Sequence, residues 1–121
     1  MSEMCMLCNA TKKEIVSFDH LSAYSPREIT GSSISSPVVV WYLHRNRGDK
    51  ITFLGDYDDP SSLPFSLKIE DVLNWPDRTK DVIGELVDMR ILSDHGILYP
   101  DDEETDLFIY DLRNIWESPV D

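Results

Sequence analysis

The sequence is poor in several features that common protein classes require. It has only five glycines in 121 residues, and they do not form the phosphate-cradling pattern of a nucleotide-binding loop. No apolar run approaches the roughly 18 residues of a membrane span, and the first residues lack the basic and then apolar pattern of a secretory signal. These absences predict a cytoplasmic protein that does not contact a membrane and binds no cofactor.

Basic residues are also scarce, and the imbalance is regional. The chain has 11 Lys and Arg against 23 Asp and Glu, which gives a formal net charge of -12. Residues 1–50 carry six basic and five acidic side chains, a net +1, whereas residues 51–121 carry five and eighteen, a net -13. Because DNA binding requires cationic side chains to replace the counterions of phosphate, the sequence predicts no direct binding to duplex DNA.

What the chain does contain is enough apolar material for one core. Hydrophobic residues make up 41% of it, with three tryptophans. This argues against wholesale disorder, and the length suits one domain. Interleaved helix and strand patterns predict a small single α+β domain over residues 1–121. We expect a central antiparallel hairpin, two helices and a C-terminal hairpin in it.

The first half of the chain suggests a loop and then the central hairpin. Residues 22–37 are rich in Ser, Pro and Gly, and read as a loop or linker. The β-branched and aromatic run from Val38 to Leu43 predicts a strand, and the run from Lys50 to Leu54 predicts its partner. Gly48 lies between the two runs, so we expect a hairpin over residues 38–54.

The second half predicts a helix–helix–hairpin unit over residues 66–112. Ser66 can cap a short helix, and Asp77 can cap a longer one that runs to about Leu92 with one apolar stripe. Two strands then follow, 97–99 and 107–110, with the acidic residues at their tip. This order resembles a winged-helix domain, which implies a recognition helix over 77–92 and a wing over 96–112. The acidic character of both parts favours contact with protein over reading of DNA.

The N-terminal part offers a possible metal site. Cys5 and Cys8 form a CxxC pair, followed by Asp19 and His20, and this order is similar to the opening of an HNH endonuclease. The resemblance implies zinc on the cysteines, a catalytic ion on Asp19 and water activation by His20. The downstream ligands of that family are missing, so we do not predict an enzyme.

Two other interpretations of the cysteines remain open. They could bind metal without catalysis, with one or two of His20, His44 and His95 as the other ligands. They could also be reduced thiols in a partly buried segment, which we favour. We therefore expect no metal, and we expect replacement of Cys5 and Cys8 by Ser to lower thermal stability only slightly.

The feature that folding explains least is the concentrated negative charge. Closely spaced carboxylates repel each other and add nothing to a core, so they suggest a basic partner. We predict a partner-binding surface made of acidic residues with aromatic anchors beside them. Its predicted members are Asp58, Asp59, Tyr99, Asp101, Asp102, Glu103, Glu104, Asp106, Phe108 and Tyr110.

In size and charge the chain is similar to small acidic phage proteins that mimic DNA or inhibit restriction and CRISPR machinery, and to immunity proteins of nuclease toxins. This similarity implies a protein that inhibits or adapts a basic partner, one that itself binds nucleic acid. The alternatives are an HNH-like nuclease or its remnant, and a winged-helix interaction module.

Overall fold

The computed structural model describes residues 4–55, 58–98 and 108–116 as a small single α+β domain. Within these residues the strands are β1 (Cys5–Asn9), β2 (Glu14–Val16), β3 (Ile51–Gly55), β4 (Leu92–Leu98) and β5 (Ile109–Asn114). The helices are α1 (Pro26–Gly31), α2 (Ser35–Arg45), α3 (Ile69–Val72) and α4 (Thr79–Asp88), with one 3-10 turn at Pro64–Ser66. The predicted fold class is therefore confirmed.

The strands form two antiparallel sheets. The first has the order β2-β1-β3, and the second is the β4–β5 hairpin. β1 lies at the centre of the first sheet and is covered on both faces. Leu7 packs with the helices and the hairpin, whereas Cys8 packs against Val72 and the 63–75 segment. Burial on both faces explains why the sequence of β1 shows no apolar alternation.

The predicted hairpin over residues 38–54 is wrong, because its first half is helical. Val38 and Tyr42, four residues apart, are the buried residues of α2 within this run. The run is β-branched, but packing of this stripe against the core overrides an intrinsic strand preference of less than about 1 kcal/mol per residue. The second half is a strand, β3, and it pairs with β1. Gly48 does adopt the expected positive φ, of 89°.

The predicted loop over residues 22–37 is also wrong, since it contains α1 and the start of α2. Ser25 caps α1 by accepting a hydrogen bond from the Glu28 amide and donating one to the Glu28 carboxylate at 2.6 Å. Pro26 occupies the first turn. The hydroxyl of Ser32 accepts from the Ser35 amide at 2.9 Å, at the start of α2. Ser25 is thus the N-cap of α1, and Ser32 is its C-cap, whose hydroxyl also bonds to the start of the next helix.

Most of the helices and strands predicted for the second half of the chain are present in the structure. α4 lies inside the predicted range and buries Val82, Ile83 and Leu86 on one face. It ends at Asp88, earlier than predicted, and Arg90 beyond it has a φ of 61°. A C-terminal hairpin follows, in which β4 and β5 are both longer than expected. The elements have the order of a winged helix, and that resemblance stays a prediction.

Candidate partner-binding surface

The structure describes four of the ten predicted partner-binding residues. The other six lie outside the described residues: Tyr99, Asp101, Asp102, Glu103, Glu104 and Asp106. Phe108 and Tyr110 lie together where β5 begins, directly after that acidic segment. Asp58 and Asp59 lie in a different loop, after β3. The predicted residues therefore do not form a single cluster.

Phe108 and Tyr110 pack around a histidine from the other end of the chain. The Phe108 ring stacks on the imidazole of His20 with centroids 3.7 Å apart and an interplanar angle of 11°. Tyr110 contacts Phe108 edge-on, at 5.4 Å and 84°, and also approaches His20 edge-on, at 6.0 Å. All three side chains are partly exposed. Three rings thus form a compact aromatic platform at the surface.

Hydrogen bonds fix this platform to the N-terminal half. Nδ1 of His20 lies 2.9 Å from the Phe108 carbonyl oxygen, and since a carbonyl can only accept, Nδ1 carries the hydrogen and donates it. The Tyr110 amide donates to the His20 carbonyl oxygen at 2.9 Å. Two bonds between backbone or ring atoms therefore hold β5 against the segment that follows β2.

The segment that presents His20 has an unusual backbone. Phe18 and His20 both have positive φ angles, of 60° and 65°. This conformation is disfavoured for residues with a Cβ and persists where surrounding contacts impose it. The buried Phe18 ring supplies one such contact, because it belongs to the main core. With Phe18 inside, Asp19 and His20 are presented at the surface.

Carboxylates surround the aromatic platform. Asp19 is 65% exposed, and its Oδ2 lies 3.2 Å from Nε2 of His20. Burial raises the pKa of the Tyr110 hydroxyl, and the negative charges of Asp19, Asp94 and Asp77 raise it further. The negative charges of these three carboxylates therefore all act on the Tyr110 hydroxyl. We call the six residues the acidic–aromatic surface: Asp19, His20, Asp77, Asp94, Phe108 and Tyr110.

Asp77 has a structural role as well. Its carboxylate accepts hydrogen bonds from the Thr79 amide at 3.0 Å, from the Thr79 hydroxyl at 2.6 Å and from the hydroxyl of Ser17. Desolvation opposes ionisation of Asp77, but the hydrogen bonds from Ser17 and Thr79 prevail and lower its pKa. The residue predicted as a helix cap thus joins the start of α4 to the end of β2.

A shallow cavity of about 320 Å³ lies on the acidic–aromatic surface. Asp19, His20, Asp77, Phe108 and Tyr110 line it together with Thr79 and Lys80, which is the cation among the described lining residues. Three rings and two carboxylates around one depression suit a planar cation such as a guanidinium, which can stack on a ring and pair with a carboxylate.

A second, more apolar groove adjoins this surface. It has a volume of about 410 Å³. The hydrophobic side chains that line it include Met4, Met6, Leu54, Leu63, Ile69 and Leu73. Ser17 also lines the groove, and its hydroxyl bonds to Asp77 of the acidic–aromatic surface. The Ser17–Asp77 pair is therefore shared by the two features.

Asp58 is the charged residue among the described residues that line the apolar groove. Its Oδ2 accepts a hydrogen bond from the Gly55 amide at 2.9 Å, which holds the carboxylate at the rim. Asp59 follows it and accepts hydrogen bonds from the Ser61 amide and hydroxyl, and these bonds lower its pKa. Both residues were predicted as partner contacts, and the structure connects Asp58 to the groove instead of to Phe108 and Tyr110.

The arrangement of the cysteines does not suit a shared metal ion. Cys5 packs in the core between the sheet and the helices, whereas Cys8 packs in the smaller core on the other face of the sheet. Residues three apart in a strand point to opposite faces, so the two thiols do not converge. Asp19 and His20 do lie together, yet the described residues contain no group of three or more His, Cys, Asp or Glu placed to hold a metal ion. His44 and His95 are both exposed.

Basic side chains gather at another part of the surface. The turn after β1 and the loop after α2 are bonded together, because the Ala10 amide donates to the Lys50 carbonyl oxygen at 2.8 Å. We call the cations of these two segments the basic loop end: Lys12, Lys13, Arg45, Arg47 and Lys50. Lys12 pairs with Asp49 and Arg45 with Glu85, while the other three form no ion pair with any described residue.

The sequence interpretation missed four members of the acidic–aromatic surface as partner contacts. Asp19 and His20 were considered only for a metal or catalytic site, Asp77 only as a helix cap, and Asp94 was not considered. A local pattern cannot reveal this surface, because His20 and Phe108 are 88 residues apart. The available signal was the Phe-Asp-His segment itself, in which exposed polar residues follow a core phenylalanine.

No protein-family model, no curated protein and no solved structure matches this chain. Among the helices that the structure describes, none is long and apolar enough to cross a membrane.

Proposed function

We propose that this protein is a binding protein that inhibits or adapts a basic, nucleic-acid-binding partner, and that it contacts this partner through the acidic–aromatic surface. The observation that supports the proposal best is the aromatic platform of His20, Phe108 and Tyr110 with Asp19, Asp77 and Asp94 around it. Partly exposed rings next to several carboxylates are the composition expected of a site for cationic side chains.

The two kinds of group have different roles in this proposal. The carboxylates steer a basic partner toward the surface, because opposite charges accelerate encounter at low ionic strength. The rings supply apolar area that is lost to water on contact and slow dissociation. The acidic residues Asp102, Glu103 and Glu104 lie a few positions before Phe108 in the sequence, and we expect their charge to add to the steering.

The proposal is tested with a positively charged peptide that has no apolar side chains. The probe is a fluorescently labelled peptide of four arginines and four serines, titrated with the protein at several salt concentrations. Neutralising Asp19 and Asp94 together by Asp→Asn should weaken binding about fivefold at low salt, since exposed charge pairs contribute up to about 1 kcal/mol. Asp94 accepts a bond from the Gly96 amide that Asn can also accept, so the fold is retained. Asp77 is left intact because α4 depends on it.

A control variant distinguishes the effect of charge at the acidic–aromatic surface from the effect of the total charge of the protein. Asp81→Asn with Asp88→Asn removes the same total charge from two exposed positions of α4 that do not line the cavity of the acidic–aromatic surface. If this control weakens binding as much as the Asp19 and Asp94 pair does, the surface has no special role and the proposal is wrong.

The acidic segment is tested in the same assay. Changing Asp102, Glu103 and Glu104 together to Ser should slow association and flatten its salt dependence, because the loss of charge acts through long-range steering. An unchanged association rate and an unchanged salt slope would remove this segment from the binding surface.

A further inference from the structure

The apolar groove lies directly beside the acidic–aromatic surface. Ser17 lines the groove and donates its hydroxyl hydrogen to Asp77, which belongs to the cavity of the acidic–aromatic surface. A ligand that lies across Ser17 would therefore contact both features. This continuity connects an apolar depression to the place where the negative charge is concentrated.

The groove is suited to one or two apolar side chains. Its volume of about 410 Å³ falls within the range of sites that enclose small ligands or anchor residues. Two methionines, Met4 and Met6, line it, and their flexible thioethers adapt to different apolar shapes. Leu73 of the 63–75 segment is 68% exposed, although it is among the lining residues. A large aliphatic side chain so exposed at a groove is well placed to be covered by a partner.

The charge at the groove selects the kind of partner. Asp58 holds a carboxylate at the rim, and no basic side chain is among the described residues that line the groove. The exposed charged residues around the lining residue Ile69 are Lys68, Glu70 and Asp71, which add a net charge of -1. An apolar ligand with acidic groups would meet repulsion here, whereas one flanked by Arg or Lys would be attracted.

From these observations we infer that the apolar groove is the anchor site for the basic partner, and that it takes a Leu, Ile, Met or Phe side chain that has Arg or Lys residues beside it. This inference rests on the proposed function, because it identifies where the same partner is held. The carboxylates of the acidic–aromatic surface bring the basic segment to the molecule, and the groove buries its apolar residue.

The test uses two labelled peptides with equal charge. One is the peptide of four arginines and four serines, and in the other the two central serines are replaced by leucines. The leucine peptide should bind the wild-type protein about tenfold more tightly, because each buried leucine removes apolar area from water. Leu73→Gln should remove most of that gain and leave the serine peptide unaffected.

A matched control uses the same substitution elsewhere. Leu43→Gln changes a leucine of α2 that is 42% exposed and does not line the groove. It should leave both peptides unaffected. Asp58→Asn keeps an acceptor for the Gly55 amide and removes the charge, so it should weaken both peptides about twofold.

The outcomes separate the two hypotheses. Equal affinity for the two peptides, or an equal loss in Leu73→Gln and Leu43→Gln, overturns the anchor site while the serine peptide still reports on the proposed function. A serine peptide that is insensitive to Asp19→Asn with Asp94→Asn overturns the proposed function itself. A cationic leucine peptide that binds no better than an acidic peptide with the same two leucines also overturns the charge selection of the groove.

Discussion

At the scale of single residues, Cys8 differs most from its sequence interpretation. It was expected to be one of two thiols in a partly buried segment, but it is fully buried in the smaller core with Ile15, Leu54 and Val72. Burial raises the pKa of its thiol to about 12, so the thiol stays protonated at neutral pH. Cys8 therefore acts as a small hydrophobic side chain.

This burial revises the expectation that both cysteines tolerate Ser. Cys8→Ser should lower the free energy of unfolding by about 1–3 kcal/mol, because it places a hydroxyl in an apolar site that offers no bonding partner in the described residues. Cys5→Ser is the matched control. The Cys5 thiol already lies 3.5 Å from the Tyr24 carbonyl oxygen, which can accept from a serine. Urea denaturation of both variants measures the difference, and equal losses would contradict the prediction.

At the scale of elements, the structure shows which sequence patterns were sufficient to predict a helix. α4 could be predicted because Val82, Ile83 and Leu86 repeat at helical spacing over a long segment. α2 could not be predicted from its β-branched run, because its helical state depends on packing with α4 and the core. The start of α1 could have been predicted from the sequence. Ser25 and Glu28 have the spacing of a capping box, and Pro26 lies between them at the first helical position.

The candidate surface was predictable only in part, and for a similar reason. Regional charge revealed the acidic second half, and Phe108 and Tyr110 followed from their position beside the acidic segment. Asp19 and His20 join them only through tertiary contacts, such as the Tyr110 amide bonded to the His20 carbonyl oxygen. The groove is formed by residues from β1, β3 and the 63–75 segment, which no local pattern groups together.

A hydrogen bond between α2 and β2 leads to a prediction about the stability of the protein at alkaline pH. The hydroxyl of Tyr42 in α2 donates to the Glu14 carboxylate of β2 at 2.6 Å. Desolvation and this hydrogen bond raise the pKa of Tyr42 above its ordinary value of 10.0. The folded protein therefore holds this proton more tightly than the unfolded chain does. The stabilisation is fully present below about pH 10 and is lost as the pH rises further.

Tyr42→Phe should lower the free energy of unfolding by about 1.5–3 kcal/mol at pH 7, since a hydrogen bond to a carboxylate is lost. Above about pH 10 the stability of this variant should fall less steeply than that of the wild type, because the variant lacks the hydroxyl whose pKa is raised by folding. Tyr24→Phe is the control at pH 7. Denaturation at pH 7, 9, 10 and 11 gives the comparison, and parallel pH curves for wild type and Tyr42→Phe would contradict the assignment.

At the scale of the whole molecule, charge is separated within one small domain. The basic loop end collects five of the 11 Lys and Arg residues, and the acidic–aromatic surface collects carboxylates from β4, from the α4 start and from the segment after β2. Because the Debye length is about 8 Å at physiological salt, each region acts locally, and the net charge of -12 does not describe either one.

We predict that the protein does not bind duplex DNA. Three cations of the basic loop end form no ion pair with the residues that the structure describes. They are too few to offset repulsion by the remaining surface, since each phosphate contact contributes only through release of one counterion. A mobility-shift titration at about 50 mM salt favours phosphate contacts and is the strictest test. Micromolar binding that disappears in a Lys13→Ser, Arg47→Ser, Lys50→Ser variant would show that the charge argument is wrong and identify the DNA contact.

The contact between His20 and Phe108 also affects how the chain matures during synthesis. A ribosome delivers the chain from its N-terminus, so β1, β2 and β3 can pair once Gly55 has emerged. The two residues of this contact are 88 positions apart, and β5 emerges last of the described elements. Stacking of Phe108 on His20 therefore requires that synthesis has passed Phe108. A nascent chain thus lacks the aromatic platform until β5 has emerged, and a partner that needs the platform cannot engage a shorter nascent chain.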